Sequence, residues 1–104
     1  MNTLIPATTA AVTTAAGAIK LDSSHYQFPV TIVANGLTGA ETITVNITDD
    51  GVNYSPMLDY NTGTAVVLDA THNNVGIQFP ADLQLVKSAT VAAVAAGLST
   101  AANA

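Results

Sequence analysis

Carboxylates and amides gather at one point of the sequence, Asp49-Asp50-Gly51-Val52-Asn53, with Tyr54 directly after and Asp59 and Tyr60 a few residues on. Oxygen ligands at this density suit calcium, but calcium takes about six to eight of them, and a helix-flanked calcium loop spaces its acids at alternate positions and closes on a glutamate. The chain's one glutamate, Glu41, lies upstream of the turn. Asp and Asn also settle readily into tight turns by hydrogen-bonding their own backbone, and glycine enters such turns without steric cost. The stretch therefore reads as a hairpin corner. Tyr54 and Tyr60 flank it and offer a platform for glycan contact in a carbohydrate-binding reading. Tyr54 serves equally well as a cross-strand partner on the hairpin's apolar face.

The remaining reactive types are sparse. His25 and His72 are far apart in the chain, and zinc wants three or four ligands with supporting partners. Asp22, Ser23, Ser24 and His25 hold the residue types of a hydrolytic relay, but as sequence neighbours they cannot converge as its members do. There is no strand-to-helix serine elbow and no glycine-rich phosphate loop. Cysteine is absent, which excludes disulfides, Cys-ligated zinc and thiol chemistry. The expectation is a protein that is not an enzyme, with no catalytic residues, no metal and no cofactor.

Charge narrows the partners. Two lysines, Lys20 and Lys87, stand against seven acids, for a net charge of −5. Nucleic acids and anionic membranes are held by clustered Lys and Arg, so neither is an expected partner. With 9% charged residues, the surface must be largely Thr, Asn, Ser and Ala, which cost less to desolvate than charges do. A chain of 104 residues is one domain with one core, and five aromatic residues make that core thin in bulk. Shared stability with neighbouring copies, as a dimer or trimer, is expected.

The elements that must position these residues are strands. In "HYQFPVTIVAN", Tyr26, Phe28, Val30, Ile32 and Ala34 share one face, the period-two signature of a half-buried strand. Pro29 has no N–H for a ladder, which predicts an edge or a bulge there. Ile43, Val45 and Ile47 repeat the alternation, then Val66 and Leu68, then Val75, Ile77 and Phe79, then Leu83 to Lys87. Turn clusters separate the runs at the spacing of an all-β sandwich or barrel. The end, "SATVAAVAAGLSTAANA", reads two ways: Val91, Val94 and Leu98 lie at helical spacing, whereas Gly97 and the β-branched residues favour a last strand around 94–100.

The first 18 residues are mostly Ala and Thr and read as an extended arm, with residues 19–104 as the β-sandwich domain. No positive charge precedes the apolar part and Pro6 interrupts it, so a cleaved leader is not expected. No apolar run reaches the roughly 18 residues of a membrane span. Leu4, Ile5 and Pro6 are the arm's only bulky or rigid residues and its expected anchors on a neighbouring molecule.

From residue 26 to about 100 the chain resembles small virion proteins of tailed bacteriophages. The likeness rests on an alternating strand ending in an Asp-Gly turn, a glycine-containing hairpin, "TAVVL", a proline corner, "LQLVKSAT" and an Ala/Val/Gly ending. Tyr54 stands where tryptophan is common in such proteins. The resemblance implies a sandwich or jelly-roll decoration (cement) protein on the outer capsid surface, made in the host cytoplasm. It also implies the major capsid protein as partner, and self-association. A fibre- or tail-associated domain in host attachment is the alternative it leaves open.

Overall fold

The computed structural model describes residues 2–59 and 61–99. In chain order the strands are β1 (Asn2–Thr8), β2 (Val12–Thr13), β3 (Ile19–Leu21), β4 (Val30–Val33), β5 (Ile43–Thr48), β6 (Ser55–Pro56), β7 (Val67–Leu68), β8 (Asn74–Ile77), β9 (Ala81–Lys87) and β10 (Val94–Ser99). They form two antiparallel sheets packed face to face as a β-sandwich. One sheet has four strands in the order β1-β10-β4-β8. The other is built on the β5–β9 pair, with β2 and β3 end to end along the outer edge of β9, and β6 and β7 along that of β5.

The period-two pattern carries the core. Ile5, Val30, Ile32, Ile77, Val94, Ala96 and Leu98 point inward from the four-stranded sheet. They meet Ile19, Leu21, Ile43, Val45, Leu68, Leu83 and Leu85 from the other. Burying one such aliphatic side chain stabilises by about 1.5–3 kcal/mol, so the fold rests on many small contributions rather than on aromatic anchors. Tyr26 and Phe28 pack against this cluster only partly buried.

The ambiguous ending is a strand. A helix would bury Val91 with Val94 and Leu98, but Val91 is 87% exposed. Instead Val94, Ala96 and Leu98 alternate into the core while β10 fills the gap between β1 and β4.

Several expectations need correction. Residues 2–8 are no free arm: they pair with β10, from Asn2 opposite Leu98 to Thr8 opposite Val94. The chain's own last strand holds this Ala- and Thr-rich segment, and Ile5 is 0% exposed in the core. Pro29 marks neither an edge nor a bulge. The ladder starts one residue later, at Val30, because proline has no N–H to give it, and β4 then runs between two neighbours. Phe79 lies beyond the end of β8 and is 49% exposed rather than continuing the inward row.

The first and last strands share one further feature. Residues 2–8 pair with β10 in the four-stranded sheet, and residues 12–13 pair with Lys87 and Val86 of β9 in the other. Between them Thr90 N–H donates to the Thr9 carbonyl, and beyond them Thr14 N–H donates to the Leu85 carbonyl. The two ends of the chain thus form one bent ribbon that crosses from sheet to sheet.

Candidate functional site

The Asp-rich turn closes on itself. Gly51, at φ +78°, supplies the left-handed residue that lets β5 reverse into β6. Asp50 Oδ1 accepts the backbone N–H groups of Asn53 and Val52, each at 2.8 Å, and Oδ2 accepts Asn53 Nδ2 at 3.0 Å. Those N–H groups, Asn53's before Val52's, and then the Asn53 amide and the Thr48 hydroxyl, hold the Asp50 carboxyl far below its ordinary range. The Thr48 hydroxyl donates to the Asn53 carbonyl at 2.6 Å and accepts the Gly51 N–H. A carboxylate engaged on both oxygens by its own turn is a corner post. Among the described residues no three His, Asp or Glu side chains gather as metal ligands.

Asp22, Ser24 and His25 also meet, but in the wrong order for a relay. The Ser24 hydroxyl donates to Asp22 Oδ1 at 2.7 Å, and His25 Nδ1 lies 2.7 Å from that same oxygen. A hydrolytic relay puts the acid on one imidazole nitrogen and the nucleophile on the other; here Ser24 and Asp22 both sit at Nδ1. The Ser24 hydroxyl, then the His25 side chain, lower the Asp22 pKa. Asp69, Thr71 and His72 repeat the arrangement: Asp69 Oδ1 accepts the N–H groups of Thr71 and His72 and the Thr71 hydroxyl. The pattern Asp-x-Ser/Thr-His is visible twice in the sequence and went unread as a repeated loop device.

Tyr54 is half-buried at the surface and not part of the core. Its hydroxyl accepts the Gly17 N–H at 3.1 Å and donates to Asp82 Oδ1 at 3.1 Å. The half-buried ring therefore bridges the β5–β6 turn, β9 and the β2–β3 connection. Tyr60 lies outside the described residues. Of the expected arm anchors, Ile5 is in the core, Leu4 is half-buried against it, and Pro6 alone is exposed.

What the structure does assemble is a surface without charge. The strands of the four-stranded sheet read NTLIPAT, VAAGLS, VTIV and NVGI, with no ionisable side chain among them. Their outward residues are small: Gly97 and Ala95 leave a shallow hollow of about 300 Å3 that Thr3, Ala7 and Val33 border. The charges of the strands, Lys20, Asp82 and Lys87, all belong to the opposite sheet.

Sequence reasoning missed Lys87, the one buried charged residue among those described, at 1% exposure. Its ammonium donates to the Ala10 carbonyl (2.8 Å), the Ser88 carbonyl (3.1 Å) and Thr90 Oγ1 (3.2 Å). It sits where the ribbon bends and satisfies acceptors that no ladder can reach. Glu41 ties the same corner from outside, accepting the N–H of Thr38 and of Val91, each at 2.9 Å. Those two donors, Thr38's first, hold its carboxyl below the ordinary value. Compared with known proteins, the chain matches no family model, no curated protein and no solved structure.

Proposed function

We propose that the protein is a non-enzymatic structural component of a tailed-phage virion, a capsid decoration protein that binds the outer shell and bridges neighbouring capsid subunits. One observation carries the reading: a whole sheet free of ionisable side chains, in a chain whose net charge is −5. Covering such a face desolvates no charge, and away from the β8 edge its backbone is paired within the sheet, so most of the hidden area is gain. At about 25 cal/mol per Å2 of apolar area, and roughly 800 Å2 per partner in a standard interface, modest contacts repeated at equivalent sites tie a shell together. The likeness of residues 26–100 to small virion proteins of tailed phages supports the same reading.

The test uses expanded empty capsids of a phage whose genome encodes the protein. The wild-type chain binds them saturably and raises their heat resistance. Val33→Asp and Ala95→Asp, which put charges on the uncharged face, keep the fold and lose both effects. Wild-type protein with no affinity for the shell, or full binding by the charged variants, overturns the proposal.

A further inference from the structure

The edges of the two sheets are not guarded alike. An edge strand presents unpaired N–H and C=O groups, and proteins blunt it with proline, charge or irregular pairing. β1 carries Pro6 and two register shifts, β3 carries Lys20, and β2, β6 and β7 are two residues each. β8, Asn-Val-Gly-Ile, has no proline and no charge, and pairs in regular register with β4 alone.

The phase of that pairing says which groups are free. Ala34 N–H donates to the Asn73 carbonyl, one step beyond the pair Val33–Asn74. Hydrogen-bonded pairs alternate in an antiparallel ladder, so Val75 and Ile77 face β4 while the N–H and C=O of Asn74 and Gly76 point outward. Among the described residues nothing bonds them.

Beside this edge runs a cleft between β8 and residues 57–59 and 61–67. One part, of about 370 Å3, reaches Asp59, Asp69 and His72; another, of about 120 Å3, reaches Leu58 and Phe79. The two adjoin, with Asp59, Val66 and Val75 lining both. Leu58 is 60% exposed, and with Phe79 it accounts for two of the four large apolar side chains left in water among the described residues. At the other end, Asp59 and Asp69 accept their turn bonds on Oδ1 alone. Their Oδ2 atoms have no hydrogen-bond partner among the described residues.

We propose that β8 is a strand-addition site for an extended segment of another protein, with apolar side chains at alternate positions and a Lys or Arg that reaches Asp59 and Asp69. The backbone of the segment pairs with Asn74 and Gly76, its inward side chains fill the cleft over Val66 and Val75, and its cation neutralises the acidic end. Charge argues against a second copy as the occupant. The chain's one other lysine besides buried Lys87 is Lys20, on β3 of the opposite sheet, so a second copy meeting this edge through its own β8 brings no lysine to Asp59 and Asp69. The site is independent of the capsid reading.

The probe is a labelled synthetic peptide of about nine residues, the reach of a strand, alternating valine and threonine with lysine at each end. Its twin carries glutamate at both ends. Fluorescence anisotropy should show saturable binding of the lysine peptide and at least about tenfold weaker binding of the twin. N-methylation of either the valines or the threonines, but not of both sets alike, should abolish binding, because one edge of the peptide pairs with β8. Gly76→Pro should abolish it too, with the circular dichroism spectrum unchanged. If Gly76→Pro fails to fold, the pair Asp59→Asn and Asp69→Asn should bring the lysine peptide down to the affinity of its twin. No saturable binding overturns the proposal, as does indifference to N-methylation. A dimer in sedimentation that Gly76→Pro converts to monomer assigns the edge to a second copy and overturns it equally.

Discussion

The ammonium of Lys87 lies 2.8 Å from the carbonyl oxygen of Ala10, 77 positions earlier in the chain. This contact closes the bend in the ribbon, and it defines what the lysine is for. Lys87→Met keeps the aliphatic stem and removes the donor, leaving the Ala10 and Ser88 carbonyls short of a partner. Such a loss costs about 1–3 kcal/mol. Lys87→Ala should cost more, at about 0.8 kcal/mol for each buried methylene removed with the charge. Urea unfolding of the two variants measures the difference; equal midpoints for wild type and Lys87→Met would remove the tether.

Ile5 and Pro6 are neighbours with opposite fates. Ile5→Ala opens a cavity in the core and should cost about 2–5 kcal/mol. Pro6→Ala, at an exposed position, should change stability by no more than about 0.5 kcal/mol. Thermal melts of both variants separate an integral strand from a free arm, in which both substitutions would be silent.

Tyr54→Phe keeps the ring and removes both hydroxyl bonds, to Gly17 and Asp82. A net loss of about 1–2 kcal/mol is expected. A double-mutant cycle with Asp82→Ala should return a coupling of about 0.5–1 kcal/mol. Proteolysis near Gly17 should also quicken in Tyr54→Phe, since the hydroxyl anchors that connection.

Acid should weaken the fold through its turns. Asp22, Asp50 and Asp69 have folded pKa values below their ordinary 3.8, and Glu41 below its 4.5. Below those ordinary values and above the folded ones, the unfolded chain binds more protons than the folded chain, so stability rises with pH there. It is fully present above the ordinary values and drains away as pH falls through the folded ones. Glu41→Gln should flatten the stability profile from 4.5 downward, and Asp50→Asn from 3.8 downward. Each effect is small, because these carboxylates are open to water and salt. Profiles parallel to wild type would mean the turns do not depend on ionised carboxylates.

Much of the fold was legible because alternation is a local signal. Val30 and Ile32, Ile43 and Val45, and Leu83 and Leu85 could each be placed inward from their own neighbours. The Asp50 turn was legible for the same reason, since its bonds stay within a few residues. What sequence could not show was pairing at a distance. The Ala- and Thr-rich start carries too little pattern to announce β10 as its partner, so it read as an arm. Lys87 read as part of an ordinary strand because its three acceptors come from two connections. Tyr54 was misjudged because Asp82 and Gly17 meet it only across the sheet. The edge of β8 was equally invisible: an unguarded strand is defined by the neighbour it lacks.

The bent ribbon also orders the events of synthesis. Asn2 must find Leu98 before the four-stranded sheet can close, and a loop of that length costs entropy before any contact compensates. While the chain is still emerging from the ribosome, Ile5 has no β10 to lie against, and the core stays open on that side. The sandwich can therefore close on that side only after residues 94–99 have left the exit tunnel.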